Sequence, residues 1–376
     1  MARTSSNIAE MIYQDLNQEI SCGHYKVGDL IPSETDLAEK YKATRFFARK
    51  ALDRLEQQGL IKNHRGVGRK LKKAGSVLKR LGVLNDQSLE VYNHRDPLMP
   101  AHLFDWQHGV FKACSESGVV PVHITGGSRN LKDRIFLLNQ MLESNIDAII
   151  FKLGVINVED ANDFLLKLKG CGVPVISAFS RIAKTKGIDN FYCNYYSVTK
   201  MQCTYLINRG HRDIAYVYGE LLGDGCSDNY YRHNGFIDTM RMHGLGVGDD
   251  VIVEVPHSMF DGNWYKNGYY AASQLHVRGV LGRISGIVAL NDPMAEGVIA
   301  RLNELGYKVP EDISITGFDN DPRYRHLNLT TGMFNFLDET CSLVKKFIDK
   351  INSNEESIVE KVLEPVFVER LSVKKL

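Results

Sequence analysis

The sequence predicts an α/β protein of two unequal parts: a small helical head closed by a β-hairpin, and a large body of doubly wound parallel sheets. Three observations carry this. Residues 1–80 hold 16 Lys/Arg against 9 Asp/Glu, while the other 296 hold 30 against 36, so a basic head precedes a mildly acidic body. Within the head, apolar residues recur at helical spacing until about residue 60 and then give way to a glycine-tipped hairpin pattern. From Lys79 onward, short β-branched runs alternate with stretches of helical period, the pattern of a parallel sheet covered by helices. At 376 residues the chain has room for two or three domains, each with its own core.

In the head, Ile8, Ile12, Leu16 and Ile20 define a first helix, with Asn7 and Glu10 as its cap, ending near Cys22-Gly23. In "GDLIPSETDLAEKY" a turn at Gly28-Asp29 leads to a second helix from Glu34 to Tyr41, capped by Ser33. Thr44 caps a third helix and Gly59 ends it. On that helix Ala48, Ala51, Leu52 and Leu55 share one apolar arc; Arg45, Arg49 and Lys50 lie outside it, and Phe46 points almost opposite to it. Two helices joined by a tight turn, the second opening with cations, is a geometry that lays side chains into the DNA major groove. Phe46 has two readings: it touches a thymine methyl group, or it packs on the hairpin or a partner subunit. "LIKNHRGVGRKL" reads as the hairpin. Its tip, cationic at Arg65 and open at Gly66 and Gly68, can approach a phosphate ridge or enter a minor groove. Lys62, Arg65, Arg69, Lys70, Lys72 and Lys73 supply attraction that is independent of base sequence.

The stretch from Gly28 to Leu71 resembles the winged helix-turn-helix of the GntR family, and the match extends over about residues 7–72. That family shows a Pro-Ser-Glu helix start, an Arg opening the recognition helix, a second Arg one turn later and a Gly-x-Gly wing. The resemblance implies DNA contacts at Arg45, Arg49 and Gly66. The sequence departs from the family at Thr35, where Arg is usual, and at Phe46 and Phe47, where small hydroxyl residues are usual. Operator preference therefore does not carry over.

In the body, "RLGVL", "VVPVHIT", "DAIIF", "VPVIS", "DIAYVYG", "VIVEV", "GIVAL" and "DISITGF" read as strands. "LKDRIFLLNQMLES", "NVEDANDFLLKLKGCG", "SVTKMQCTYLINRG" and "PMAEGVIARLNELG" read as helices between them. This suits two lobes with a crevice at the carboxyl ends of the strands. The chain lacks a G-x-G-x-x-G after the first strand, a P-loop, an H-E-x-x-H and a G-x-S-x-G. "GLGVG" at 244–248 falls in a loop, the histidines show no metal-ligand spacing, and His211 reads as structural. Neither a metal nor a cofactor is expected. Seven scattered cysteines, no signal-type N-terminus and no run of roughly 18 apolar residues point to a reduced, cytoplasmic protein without a membrane span.

Polar residues gather where strands end: Asn291 and Asp292 after "GIVAL", Asp319 and Asn320 after "DISITGF", Arg232 in the helix after "DIAYVYG". Singly, each has a bland role, and Asp292 is a ready helix cap. Converging on one crevice, carboxylate, carboxamide and guanidinium satisfy the hydroxyls of a sugar. "LINRGHRDIAYVYG", "YRHNGFIDTM", "GIVALNDPMAEGVIARLNELGYKVPEDISITGFDN" and "LNLTTG" resemble the effector domain of LacI/GalR-type regulators, related to periplasmic sugar-binding proteins, over about residues 79–370. The resemblance implies effector contacts at Arg232, Asn291 and Asp319 in the second lobe, and at Phe104, Trp106 and Arg181 in the first. It also implies three crossings between lobes, near Gly210, Thr330 and Asn354. The expected domains are a winged helix-turn-helix head over 1–72, a linker over 73–78, and a body over 79–376. One lobe of the body holds 79–210 and 331–353, the other 211–329 and 355–376.

A head of one type on a body of the other resembles the arrangement of arabinose-repressor-type regulators. It implies a sugar-responsive, homodimeric repressor of sugar-utilisation genes on a palindromic double-stranded operator. The same build serves a regulator that needs its ligand to bind DNA, or an activator. A cytosolic sugar-binding protein or enzyme with an incidental basic head is the alternative of another class. The linker "KLKKAGSVLKR" has Gly75-Ser76 in place of a hinge-helix motif, which implies transmission by repositioning of the heads.

Overall fold

The computed structural model describes residues 5–21, 24–26, 28–72, 78–85, 101–125, 131–152, 158–178, 187–221, 228–256, 259–260, 263–353, 355 and 357–376. The head comprises α1 (Ser5–Ser21), α2 (Glu34–Lys40), α3 (Arg45–Gln57), β1 (Ile61–His64) and β2 (Gly68–Leu71). Asn7 lies inside α1 rather than ahead of it. Ser33 and Asp36 close a reciprocal box at the start of α2: Ser33 Oγ accepts from the Asp36 N–H at 3.2 Å, and the Asp36 carboxylate accepts from the Ser33 N–H at 2.8 Å. Helix α3 follows Thr44, and Gly59, at φ +71°, turns the chain beyond its end. Ile12, Leu16 and Ile20 of α1, Leu37 of α2, and Ala48, Ala51, Leu52 and Leu55 of α3 form one core with Leu60, Ile61 and Leu71 of the hairpin. The hairpin is antiparallel with Ile61 opposite Leu71, and Leu30 bridges to Lys70.

The body holds two six-stranded sheets. The first contains β3 (Arg80–Asn85), β4 (Val120–Thr125), β5 (Ala148–Lys152), β6 (Val175–Ala178), β7 (Asp189–Cys193) and β13 (Glu360–Leu363), in the order β13-β7-β6-β5-β3-β4, all parallel. Helices α4 (Ala101–Glu116), α5 (Leu131–Glu143), α6 (Val158–Lys169) and α11 (Phe336–Asn352) belong to this lobe. The second sheet contains β8 (Ile214–Gly219), β9 (Ile252–Val255), β10 (Gly286–Ala289), β11 (Ser314–Phe318), β12 (Thr330–Met333) and β14 (Val366–Val368), in the order β14-β12-β11-β10-β8-β9. Only β14 runs antiparallel to its neighbour. Its helices are α7 (Tyr195–Asn208), α8 (Asp228–Met242), α9 (Trp264–Val277) and α10 (Asp292–Glu304). Residues of β5, β6, β8, β10 and β11 are buried throughout, as parallel strands covered on both faces require. Helices α9 and α10 cross closely: a Cβ on Gly268 would sit 1.9 Å from the Met294 carbonyl oxygen, and one on Gly297 2.0 Å from that of Tyr265.

The crossings between lobes differ from the expected ones. Helix α7 packs on the second lobe, where Gln202 Nε2 donates to the carbonyls of Ala289 (3.1 Å) and Gly317 (2.9 Å) and Cys203, Leu206 and Ile207 join its core. The chain therefore crosses at Asn194 rather than near Gly210, again between β12 and α11 at 334–335, four residues past Thr330, and a third time between β13 and β14 at 364–365 rather than near Asn354. Gly210 is the left-handed turn from α7 to β8, which has the sequence look of a boundary. The two outer crossings touch: the Asn194 N–H donates to the Leu363 carbonyl at 2.9 Å and its Nδ2 to the Glu364 carboxylate at 2.9 Å. The body also begins earlier than expected, since Leu78 is buried in the first lobe and its N–H donates to Asn352 Oδ1 at 2.8 Å. Residues 73–77 of the expected linker lie outside the described residues. Among the described residues, no helix is long and apolar enough to cross a membrane, and Cys114, Cys171, Cys193, Cys203 and Cys341 are free thiols.

Candidate functional site

Two sites follow from this architecture, one on the head and one in the crevice. On α3 the apolar arc fixes the helix to the head and leaves Arg45, Phe46, Arg49 and Lys50 facing outward. Phe46 is 68% exposed, and its ring meets the edge of Phe47, which leans on the head core. Arg49 is gripped by Glu34, with Nε 3.1 Å from Oε1 and Nη2 2.9 Å from Oε2. At the hairpin tip Arg65 is exposed, and Gly66 and Gly68 take φ of +78° and +115°, the region that favours glycine.

Arg69 behaves differently from the other cations. Its side chain is only 15% exposed and points from β2 onto the head, donating to Glu34 (3.0 Å), Asp53 (2.7 Å) and Glu56 (3.4 Å). Expected as a DNA contact, it joins wing to helices, its charge met by three carboxylates. Glu34 serves both arginines, and hydrogen bonds from Arg49 first and Arg69 next hold its carboxyl below the usual carboxylate range.

The crevice site lies where β8, β10, β11 and β12 end. Arg232, from α8, is almost fully buried. Its guanidinium lies between the rings of Phe318 (4.7 Å) and Tyr195 (5.0 Å), and Nη1 donates to the Leu290 carbonyl at 2.5 Å. Next to that carbonyl, Asn291 caps α10, with Oδ1 accepting from the Met294 N–H at 3.0 Å; the cap is Asn291, and Asp292 is the first helical residue. Asp292 is buried and accepts from Thr331 Oγ1 (2.6 Å) and the Asp321 N–H (3.0 Å); burial first, then the Asp319 charge, pushes its carboxyl well above the usual range. Asp319 is pushed up to about 7 by burial, against the pull of Arg232. The structure thus gathers Arg232, Asn291 and Asp319 at neighbouring strand ends.

Beside them lies a cavity of about 220 Å³, walled by Phe318, Phe334 and Phe336 and by the polar groups Asp105, Asp319, Asn320 and Arg325. The rings interlock edge to face, with Phe334 5.3 Å from Phe318 and 5.5 Å from Phe336. Phe334 and Tyr195 stand at two of the crossings, so the aromatic wall is built where the lobes join. Sequence reasoning missed Asp105, Arg325 and these rings, although "GFDND" flagged the strand end.

The first-lobe expectations fare otherwise. Trp106 is fully buried in the first-lobe core and is not among the residues that line the cavity. Phe104 is 59% exposed and meets His108, while its neighbour Asp105 lines the first lobe's side of the cavity with Phe336. Arg181 lies outside the described residues. His211 is buried between Ser285 Oγ (3.0 Å) and the Lys374 carbonyl (3.1 Å), a structural setting. Among the described residues no group of His, Cys, Asp and Glu could hold a metal ion.

Head and crevice together define a class: a winged helix-turn-helix domain carried on a two-lobed body with a crevice between its sheets. Comparison with known proteins gives each part its family. Residues 8–70 match the bacterial regulatory proteins of the gntR family, and residues 203–373 match the periplasmic binding protein-like domain. The chain is 30% identical to catabolite control protein A of Priestia megaterium over 197 residues, 52% of this chain and 55% of that protein. It thus spans about half the length of the curated relatives it matches. The crystal structure of the Escherichia coli transcriptional repressor ascG covers 79% of this chain and 99% of its own, with a TM-score of 0.63 at 19% identity. A LacI family regulator of Weissella paramesenteroides with bound sucrose covers 79% of this chain and all of its own, with a TM-score of 0.60 at 19% identity. The chain therefore carries a domain that matches the gntR family over residues 8–70 and a periplasmic binding protein-like domain over residues 203–373, and the curated proteins it is similar to are transcriptional regulators.

Proposed function

We propose that this protein is a sequence-specific transcriptional repressor of sugar-utilisation genes that leaves its operator when a small sugar fills the crevice. The observation that carries the reading is the joining, on one chain, of an outward cationic helix and a polar cavity at the lobe junction. The cavity, at about 220 Å³, is smaller than the ~300–1,000 Å³ of drug-sized sites and suits a ligand of monosaccharide size. Its aromatic wall suits the apolar face of a sugar ring, and Asp319, Asn320 and Arg325 suit the hydroxyls. The sucrose-bound relative supports the same ligand class.

In this reading Arg45, Phe46, Arg49 and Lys50 meet the major groove, Arg65 and Gly66 meet the backbone or minor groove, and Arg232, Asn291 and Asp319 hold the ligand. The protein acts in the cytoplasm as a homodimer on a palindromic site, and it is not an enzyme. Ligand closes the lobes about the crossings at 194, 334–335 and 364–365, which changes the placing of the two heads. Thermal unfolding of the full chain against a panel of free and phosphorylated sugars tests the ligand class. An effector at 100 times its Kd adds about 2.7 kcal/mol to body stability, a visible shift. A panel without any shift removes the sugar from the account.

A further inference from the structure

Asp319 and Asn320 occupy left-handed backbone in succession, at φ +114° and +49°. Two such non-glycine residues in a row persist only where their surroundings fix them. The Asp319 N–H donates to the Gly332 carbonyl at 2.8 Å and the Asn320 N–H to Thr331 Oγ1 at 3.4 Å. The Asn320 side chain is fixed from elsewhere. Arg370, in the C-terminal segment beyond β14, donates through Nη2 to Asn320 Oδ1. Arg370 is itself tied down: Nη1 donates to the Leu329 carbonyl at 2.8 Å, and its N–H to Thr330 Oγ1 at 3.0 Å.

A guanidinium carries donors only, so it selects the carbonyl end of the amide. The NH₂ end must then face away from Arg370. There its partner is Met333 Sδ at 3.1 Å, a weak acceptor that also lines the cavity. Two N–H donors with one weak partner thus stand beside the Asp319 carboxyl, an acceptor, on the same wall. Each hydroxyl of a vicinal diol both donates and accepts, and a donor and an acceptor on adjacent residues fit that pair.

We propose that Asn320 contacts the ligand as a hydrogen-bond donor, and that Arg370 is the positioning residue that turns the amide N–H groups into the cavity, so that the crevice selects a vicinal diol across Asp319 and Asn320. This rests on the sugar reading above. The test is calorimetric titration of the full chain with D-glucose, D-ribose, sucrose and cellobiose, then with the monodeoxy analogues of whichever sugar binds. The native chain should reject one deoxy analogue by tenfold or more. Asn320→Asp should bind the parent sugar at least tenfold more weakly and lose that discrimination, while its thermal unfolding shows it folded. Arg370→Met should lose the same discrimination, and Arg370→Lys should restore part of it. If Arg370→Met weakens every analogue by one common factor, Arg370 is structural and the positioning role is overturned. Unchanged affinity and discrimination in Asn320→Asp overturns the contact while the sugar reading stands. A native chain that binds none of the four sugars overturns the sugar reading itself, and the diol assignment with it.

Discussion

Replacing Arg69 with Met keeps the length of the side chain and removes its charge. The guanidinium holds Glu34, Asp53 and Glu56 together from β2, and is 15% exposed where its partners are 20%, 48% and 35% exposed. Exposed pairs contribute about 0–1 kcal/mol, and breaking a buried one costs about 3–5 kcal/mol. With Arg69 and Glu34 mostly buried and Asp53 and Glu56 part in water, the loss should be about 2 kcal/mol. Two partners keep other donors, since Glu34 retains Arg49 and Glu56 retains the Asn63 N–H, which limits the damage. For a domain of 60–100 residues that corresponds to a fall of roughly 8–16 °C in the head's unfolding transition, read by scanning calorimetry of the full chain. Below that transition the salt dependence of DNA binding should keep its slope, because the Arg69 charge is already met inside the head. A phosphate-contacting Arg69 gives the opposite pair of results: head stability barely moves and the slope falls by about 0.9. That outcome would refute the clamp.

Three further outcomes follow. Arg45→Ala should cost about 1–3 kcal/mol of operator affinity and relax base choice at one position, measured by binding to a set of single-base operator variants; equal weakening on all sequences would make Arg45 a phosphate contact. Gly268→Ala forces a methyl group against the Met294 carbonyl and should destabilise the body by about 3 kcal/mol, seen in thermal unfolding with the head transition unmoved. Asp319, raised to about 7, is mostly protonated at pH 6 and mostly ionised at pH 8. In the free protein this raised value withdraws stability as pH climbs from the usual carboxylate range towards 7. A ligand whose hydroxyls donate to the carboxylate favours the ionised form, so affinity should rise about 10-fold from pH 6 to pH 8, and Asp319→Asn should flatten that rise in calorimetric titration.

Local pattern made most of the architecture legible. The eight strands read from β-branched runs all exist, because parallel strands buried on both faces need short continuous apolar stretches. The α3 arc and the presence of the hairpin also follow from local pattern. What escaped depends on partners distant in sequence. Arg69 looks like one more cation until Glu34, Asp53 and Glu56 are placed around it. Trp106 looks like a sugar-stacking ring until the core is assembled, where it is fully buried in a cluster that includes α11, more than 200 residues later. Strands β12, β13 and β14 are short pieces whose sheet membership is decided by pairing, and so the second and third crossings fall up to 10 residues from their expected places. In the crevice, Arg232, Asn291 and Asp319 were visible as polar residues at strand ends, whereas Asp105 arrives from a helix of the other lobe.

The central claim is that the crevice and the head are coupled. It is tested most directly by titrating operator binding of the full chain against the sugar that stabilises it, at fixed salt. Coupling of about 1–3 kcal/mol predicts that saturating sugar lowers operator affinity by roughly 5–150-fold, and by linkage that operator DNA lowers sugar affinity by the same factor. Operator affinity that stays constant as the crevice fills would contradict the account.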